Sequence, residues 1–102
     1  MRYNVPYIRA TLVVHKKVVY LDSAIVEVKV WKVPVTRKQP EGYKYSLVYI
    51  DSDRKRAVGY DNSKQQGHHK HVYDRQIPFD FVSIDDLFRC FWNEVRDLRG
   101  DS

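Results

Sequence analysis

Cysteine is nearly absent from this 102-residue chain. Cys90 stands alone, so no disulfide can form within the chain and no thiolate-dominated metal site can be built. Cys90 also falls inside a helical pattern, with no motif that marks it as a nucleophile. A single cysteine suits a reducing compartment. The four glycines are scattered rather than gathered into a phosphate-cradling loop, which speaks against a nucleotide-using enzyme. Apolar runs are short, and none approaches the roughly 18 residues of a membrane-crossing helix. Met1-Arg2-Tyr3-Asn4-Val5-Pro6 lacks the apolar stretch of a secretory signal. The expected location is the cytoplasm, without a membrane.

What remains is a basic, aromatic-rich sequence of a length that suits one domain spanning residues 1–102. Hydrophobic residues make up 43% and aromatics 14%, enough for a core and too many for a disordered tail. The net charge of +5 is unevenly spread. Residues 54–75 hold six of the 18 basic residues against two acids, together with three of the four histidines. Residues 76–102 reverse the balance, with six acids against three bases. A basic middle and an acidic end point to a side that faces polyanions and a different opposite side.

The first two-thirds of the chain has the pattern of β-structure. Tyr7 to Val14 and Val18 to Leu21 are β-rich, with His15-Lys16-Lys17 between them, as two short strands or one bent ribbon. After a turn at Leu21-Asp22-Ser23, strict alternation puts Ala24, Val26, Val28 and Val30 on one face. Pro34 to Gly42 is a loop. Tyr43 to Ile50 alternates again and is joined to Arg56–Tyr60 by Asp51-Ser52-Asp53, as a β-hairpin. Gln76 to Phe81 adds a short extended piece. A helix closes the chain: Ser83 is its N-cap, Asp86 gives an acidic capping box, and Ile84, Leu87, Phe88, Phe91, Trp92, Val95 and Leu98 form one stripe. The expected fold class is α+β, an antiparallel sheet of about 4–6 strands with this amphipathic helix on one face.

Chemistry concentrates in the stretch from Tyr60-Asp61-Asn62 to Gly67-His68-His69-Lys70-His71. Imidazole exchanges protons near neutrality, so His68, His69 and His71, with Asp61, are the candidate catalytic residues. If residues 69–71 are extended, His69 and His71 share one face, and His68 and Lys70 share the other. Lys64, Lys70, Arg75, Arg54 and Arg56 are the candidate nucleic-acid contacts. Three chemistries fit. Two histidines could serve as base and acid in metal-independent RNA cleavage, with lysine or arginine balancing the phosphate charge. The histidines could instead bind a metal such as zinc, helped by Asp61 or Asp74. The segment could also bind phosphates or a protein without turnover. His15, between lysines, has the setting of a surface residue, and most of the tyrosines that of sheet packing.

The run from Tyr60 to His71 resembles the hallmark of the TumE family of toxins from toxin–antitoxin pairs. Ile25 to Pro34, with its Trp31 and Pro34, is similar to that family's strand leading into a Trp–x–x–Pro segment. Tyr43 to Tyr49, Pro78-Phe79-Asp80-Phe81 and the capped helix through Phe91 and Val95 are similar as well, so the resemblance spans about residues 10–97. Residues matching the motif are Asp61, Asn62, Gly67, His68, His69 and His71, while Ser63-Lys64-Gln65-Gln66 is longer than the family's usual link. The resemblance implies a toxin encoded beside an antitoxin, typically a helix-turn-helix protein. Joined to the histidine chemistry, it gives the expectation of an RNA-directed toxin, a metal-independent endoribonuclease needing no cofactor.

Overall fold

A computed structural model describes residues 10–62 and 67–100. Six strands and one helix follow in order among these residues: β1 (Thr11–Val19), β2 (Ile25–Lys32), β3 (Tyr43–Ile50), β4 (Arg56–Asp61), β5 (His69–Val72), β6 (Arg75–Pro78) and α1 (Ile84–Arg99). The strands form one sheet in chain order, each antiparallel to the next. The connections dictate this: none is long enough for the crossover of roughly a dozen or more residues that a parallel neighbour requires. The fold is therefore α+β, as the sequence pattern predicts.

Alternation fixes which face is dry. Val26, Val28 and Val30 of β2, Tyr45, Leu47 and Tyr49 of β3, and Val58 and Tyr60 of β4 are all buried on one side. Helix α1 covers them with Leu87, Phe91 and Val95, spaced four apart on one stripe. Partly buried Ile84, Phe88 and Trp92 flank that stripe, whereas Leu98 is 44% exposed and lies past the core. Arg99 ties the end of the helix down: it lies over the Tyr20 ring, 3.7 Å from its centroid, and donates to the Tyr49 hydroxyl at 3.2 Å. No helix among the described residues is long and apolar enough to cross a membrane.

Three local expectations are refined. Of the two short strands or one bent ribbon expected around His15-Lys16-Lys17, the structure has one strand, β1, whose register shifts between Leu12 and Val14. A strand paired on one side and exposed along most of its length tolerates polar residues, and Glu27 on β2 receives His15 at 2.8 Å. The part of that segment before residue 10 lies outside the described residues. The extended piece expected at Gln76–Phe81 is strand only over Arg75–Pro78; a proline at its end has no N–H with which to continue a ladder. Asp86 turns its carboxylate to Arg89 instead of completing a capping box.

Ser83 does cap the helix, its Oγ accepting the Asp86 N–H at 3.1 Å, and Gly100 ends it with φ of 76°. Replacing Ser83 with Ala should cost about 1 kcal/mol, which in a domain of this size lowers Tm by about 4–8 °C. Thermal melts followed by circular dichroism measure this directly, and an unchanged Tm would show that the cap does not support the fold.

Candidate functional site

The pairing of β4 with β5 sets Gly59 opposite His71, Tyr60 opposite Lys70 and Asp61 opposite His69. Because cross-strand partners share a face, this register divides the histidine run in two. Lys70 goes to the helix side with Tyr60. His69 and His71 go to the other side, with Asp61.

On the helix side, His68 is held in an aromatic box. Its ring stacks on Phe81 at 4.8 Å between centroids and on Tyr45 at 5.7 Å, with Phe79 edge-on. Its Nδ1 meets the Tyr45 hydroxyl at 2.7 Å, and its Nε2 lies 3.4 Å from Glu41. Burial keeps the Tyr45 phenol neutral far above its ordinary range, with Glu41 and Asp61 adding to the effect. Asn62 joins this assembly as a clamp. Its side chain accepts the Tyr45 N–H at 2.9 Å and donates to Glu41 at 2.7 Å and to the Tyr43 carbonyl at 2.8 Å. Nearby, Lys70 pairs with Glu94 of α1 at 3.3 Å, and the Tyr60 hydroxyl donates to the same carboxylate. Lys70 is thus engaged inward with the helix.

The other face is where groups of different chemistry converge. His69 is 4% exposed, and its Nδ1 donates to the Gly67 carbonyl at 2.9 Å. Gly67 itself adopts φ of 78°, a conformation that side-chain-bearing residues rarely take. With Nδ1 committed, Nε2 faces Asp61 Oδ1 at 3.3 Å. The ring of His71 stands edge-on to that of His69, with centroids 5.2 Å apart. Gly59 lies opposite His71, and a Cβ there would come within 3.3 Å of Arg56 Cδ. The missing side chain lets Arg56 lie across the sheet beside His71. Burial, then the charge of Arg56 and the neighbouring His69, lowers the His71 pKa below the ordinary imidazole value, against an opposing pull from Asp61. An imidazole biased toward its neutral form therefore sits beside a guanidinium, a second imidazole and a carboxylate. Asp61, His69 and His71 each present a ligand atom within 4.8 Å of the others, so the same three residues could hold a metal ion.

Arg56 also borders a cavity of about 590 Å³, with Lys55, Tyr73 and Asp74. The Tyr73 N–H bonds the Ala57 carbonyl at 2.9 Å, which brings the β5–β6 turn against the start of β4. Tyr73 is 44% exposed. Arg54 in the β3–β4 turn and Arg75 at the start of β6 are exposed at this end of the sheet. Lys64 lies outside the described residues.

Of the catalytic candidates in the sequence, the structure brings together Asp61, His69 and His71, and adds Arg56 from among the nucleic-acid candidates. It places His68 and Lys70 on the other face. Of Asp61 and Asp74, the two carboxylates that could help the histidines hold a metal, Asp61 is the one whose oxygen lies close to ligand atoms of His69 and His71. Glu41, Tyr45, Glu94 and Tyr73 escape the sequence argument. Glu41 and Glu94 lie 20 or more residues from the histidine run, and no local pattern links them to it.

Neither the curated proteins nor the solved structures contain a match to this chain. The chain does match the family described as Toxin TumE over residues 3–99, nearly its whole length. That description assigns a toxin role, which implies an antitoxin as partner. This chain belongs to the TumE toxin family.

Proposed function

We propose that this toxin cleaves RNA without a metal, at the face formed by Arg56, His69, His71 and Asp61. The observation that carries the proposal is the meeting of two imidazoles, a guanidinium and a carboxylate on one sheet face, beside a cavity bordered by an exposed tyrosine. Self-cleavage of RNA requires three things: a base at the 2′-OH, an acid at the leaving 5′-oxygen and positive charge at the phosphate. His71 is the base, since burial and the charge of Arg56 lower its pKa and so favour the neutral ring. It takes the 2′-OH proton as O2′ bonds to phosphorus. The P–O5′ bond breaks, and His69, carrying its proton on Nε2 toward Asp61, protonates O5′. The products are a 2′,3′-cyclic phosphate and a 5′-OH. Arg56 balances the phosphate charge, and Tyr73 offers a face on which a neighbouring base can stack.

In this reading His68 serves the packing of the helix side through Tyr45, Phe79 and Phe81, and Lys55, Arg54 and Arg75 guide the backbone of the RNA toward the cavity. The antitoxin, expected to be a helix-turn-helix protein, would cover that basic rim with an acidic segment, in an association that weakens with salt.

The decisive experiment uses purified protein and a single-stranded RNA. Cleavage should persist in EDTA, leave 2′,3′-cyclic phosphate ends and fail on an all-DNA strand, which lacks the attacking hydroxyl. Activity lost in chelator and restored by metal would overturn the metal-independent mechanism. Intact RNA under every condition, with a retarded complex that dissolves in salt, would favour a binder over a nuclease.

A further inference from the structure

We propose that Asp61, His69 and His71 form a binding site for a divalent transition-metal ion of the zinc class, and that occupancy of this site switches off RNA cleavage. The inhibitory half rests on the function proposed above; the binding half does not.

The chemistry of the donors comes first. Two imidazoles and a carboxylate are a set that zinc accepts, and three protein ligands leave a fourth position for water or a phosphate oxygen. Ligand atoms of a tetrahedral zinc shell stand ~3.4 Å apart for bonds of about 2.1 Å. Here all three lie within 4.8 Å of one another, so small side-chain rotations would close the shell.

The second observation is independent of that spacing. Asp61 Oδ1 is buried and has no hydrogen-bond partner among the described residues. A buried carboxylate oxygen left in this way is costly unless positive charge reaches it. Its neighbour at 3.3 Å is Nε2 of His69, whose other nitrogen is already committed to the Gly67 carbonyl. In the neutral ring Nε2 therefore presents a lone pair toward a carboxylate, and two acceptors face each other. Either a proton or a metal ion completes that gap. The bond from Nδ1 to a backbone carbonyl is also the orientation device that metal-binding histidines use, since it fixes the tautomer and aims Nε2 at the ion.

A metal ion bound here would occupy the imidazole nitrogens that the cleavage step uses, and this is what makes the site a switch. Zinc would take the lone pair with which His71 accepts the 2′-OH proton, and would displace the proton that His69 delivers to O5′. Arg56, beside His71, opposes a second cation, so an anion in the fourth position would strengthen binding.

Calorimetric titration of untagged, metal-free protein with zinc chloride tests the site. One ion per chain is expected. His71→Ala, at a half-buried position that tolerates truncation better than His69, should weaken binding by at least about tenfold. His15→Ala, at an exposed histidine on β1, should leave it unchanged. Zinc should also raise the Tm of the wild-type protein and not that of His71→Ala. Absence of binding by folded wild-type protein, or equal binding by His71→Ala, overturns the site and leaves the RNA proposal untouched. In the cleavage assay, saturating zinc should abolish activity. Stimulation by zinc would overturn the inhibitory half while the calorimetric result stands. A protein inert toward RNA with and without zinc would remove the inhibitory half together with the function it rests on, and would leave zinc binding to be decided by calorimetry.

Discussion

Truncation of His71 to alanine is expected to reduce RNA cleavage by about 10²–10⁴-fold, the usual contribution of a positioned acid or base. Growth of a bacterial host, arrested by induction of the wild-type toxin, should recover with this variant. His71 is the more informative of the two open-face histidines, because His69 is buried and its loss confounds chemistry with folding. The matched control is His68→Ala. That ring holds Tyr45, Phe79 and Phe81 together on the helix side, so its removal should lower Tm while the folded fraction still cleaves RNA. Equal loss of cleavage in His68→Ala, with an unchanged Tm, would move the chemistry to the other face. The pH profile adds a separate check. Burial, Arg56 and His69 hold the His71 pKa below the ordinary imidazole value, so activity should begin to rise on the acid side below that value. Arg56→Gln removes one of those depressing charges, raises the His71 pKa and should shift that rise to higher pH.

The division of the histidine run is legible in the sequence, because a strand has a period of two and residues 69–71 need only be extended to show it. The same period places Val26, Val28 and Val30 in the core, and side-chain spacing in the helix marks Leu87, Phe91 and Val95. Other features of the site depend on contacts that local patterns do not encode. Glu41 reaches His68 from the loop before β3, and Glu94 reaches Lys70 from the far side of the core. A lysine beside three histidines suggests a phosphate contact, yet the register of β4 and β5 turns it toward an acid on α1. In the sequence Arg56 is one more basic residue among several. Its place beside His71 follows from the bare backbone at Gly59, a relation visible only once β4 is paired. His15-Lys16-Lys17 leaves two short strands or one bent ribbon open in the sequence, and the structure has the single strand, since an exposed edge strand imposes no break at polar residues.

The two faces of the sheet thus have separate tasks, since one is sealed by α1 and the other presents the polar group of Arg56, Asp61, His69 and His71. They communicate through β4 and β5. Tyr60 and Lys70, which alternate with Asp61 and with His69 and His71 along those strands, both end on Glu94 of the helix. Release of the helix would therefore remove one contact from each of these two strands.

Phe91→Ala is expected to be the most damaging single truncation, with a loss of about 3–5 kcal/mol. Phe91 is fully buried at the middle of the helix stripe, between Leu87 and Val95. Its ring meets Tyr60 edge-on at 6.1 Å and Trp92 at 5.4 Å, so truncation opens a void beneath the contact between α1 and β4. A domain of this size has roughly 5–15 kcal/mol of stability in total, so the loss is a large share of it. Urea unfolding should show a much lower midpoint for Phe91→Ala, whereas Leu98→Ala, at an exposed position on the same helix, should stay within about 0.5 kcal/mol of wild type. Because Glu94 lies one turn on from Phe91 and fastens both Tyr60 and Lys70, the variant should also lose zinc affinity and RNA cleavage under conditions where part of the protein remains folded. A Phe91→Ala protein with wild-type stability would mean that α1 is not the lid of this sheet, and the structural basis for separating the two faces would fall with it.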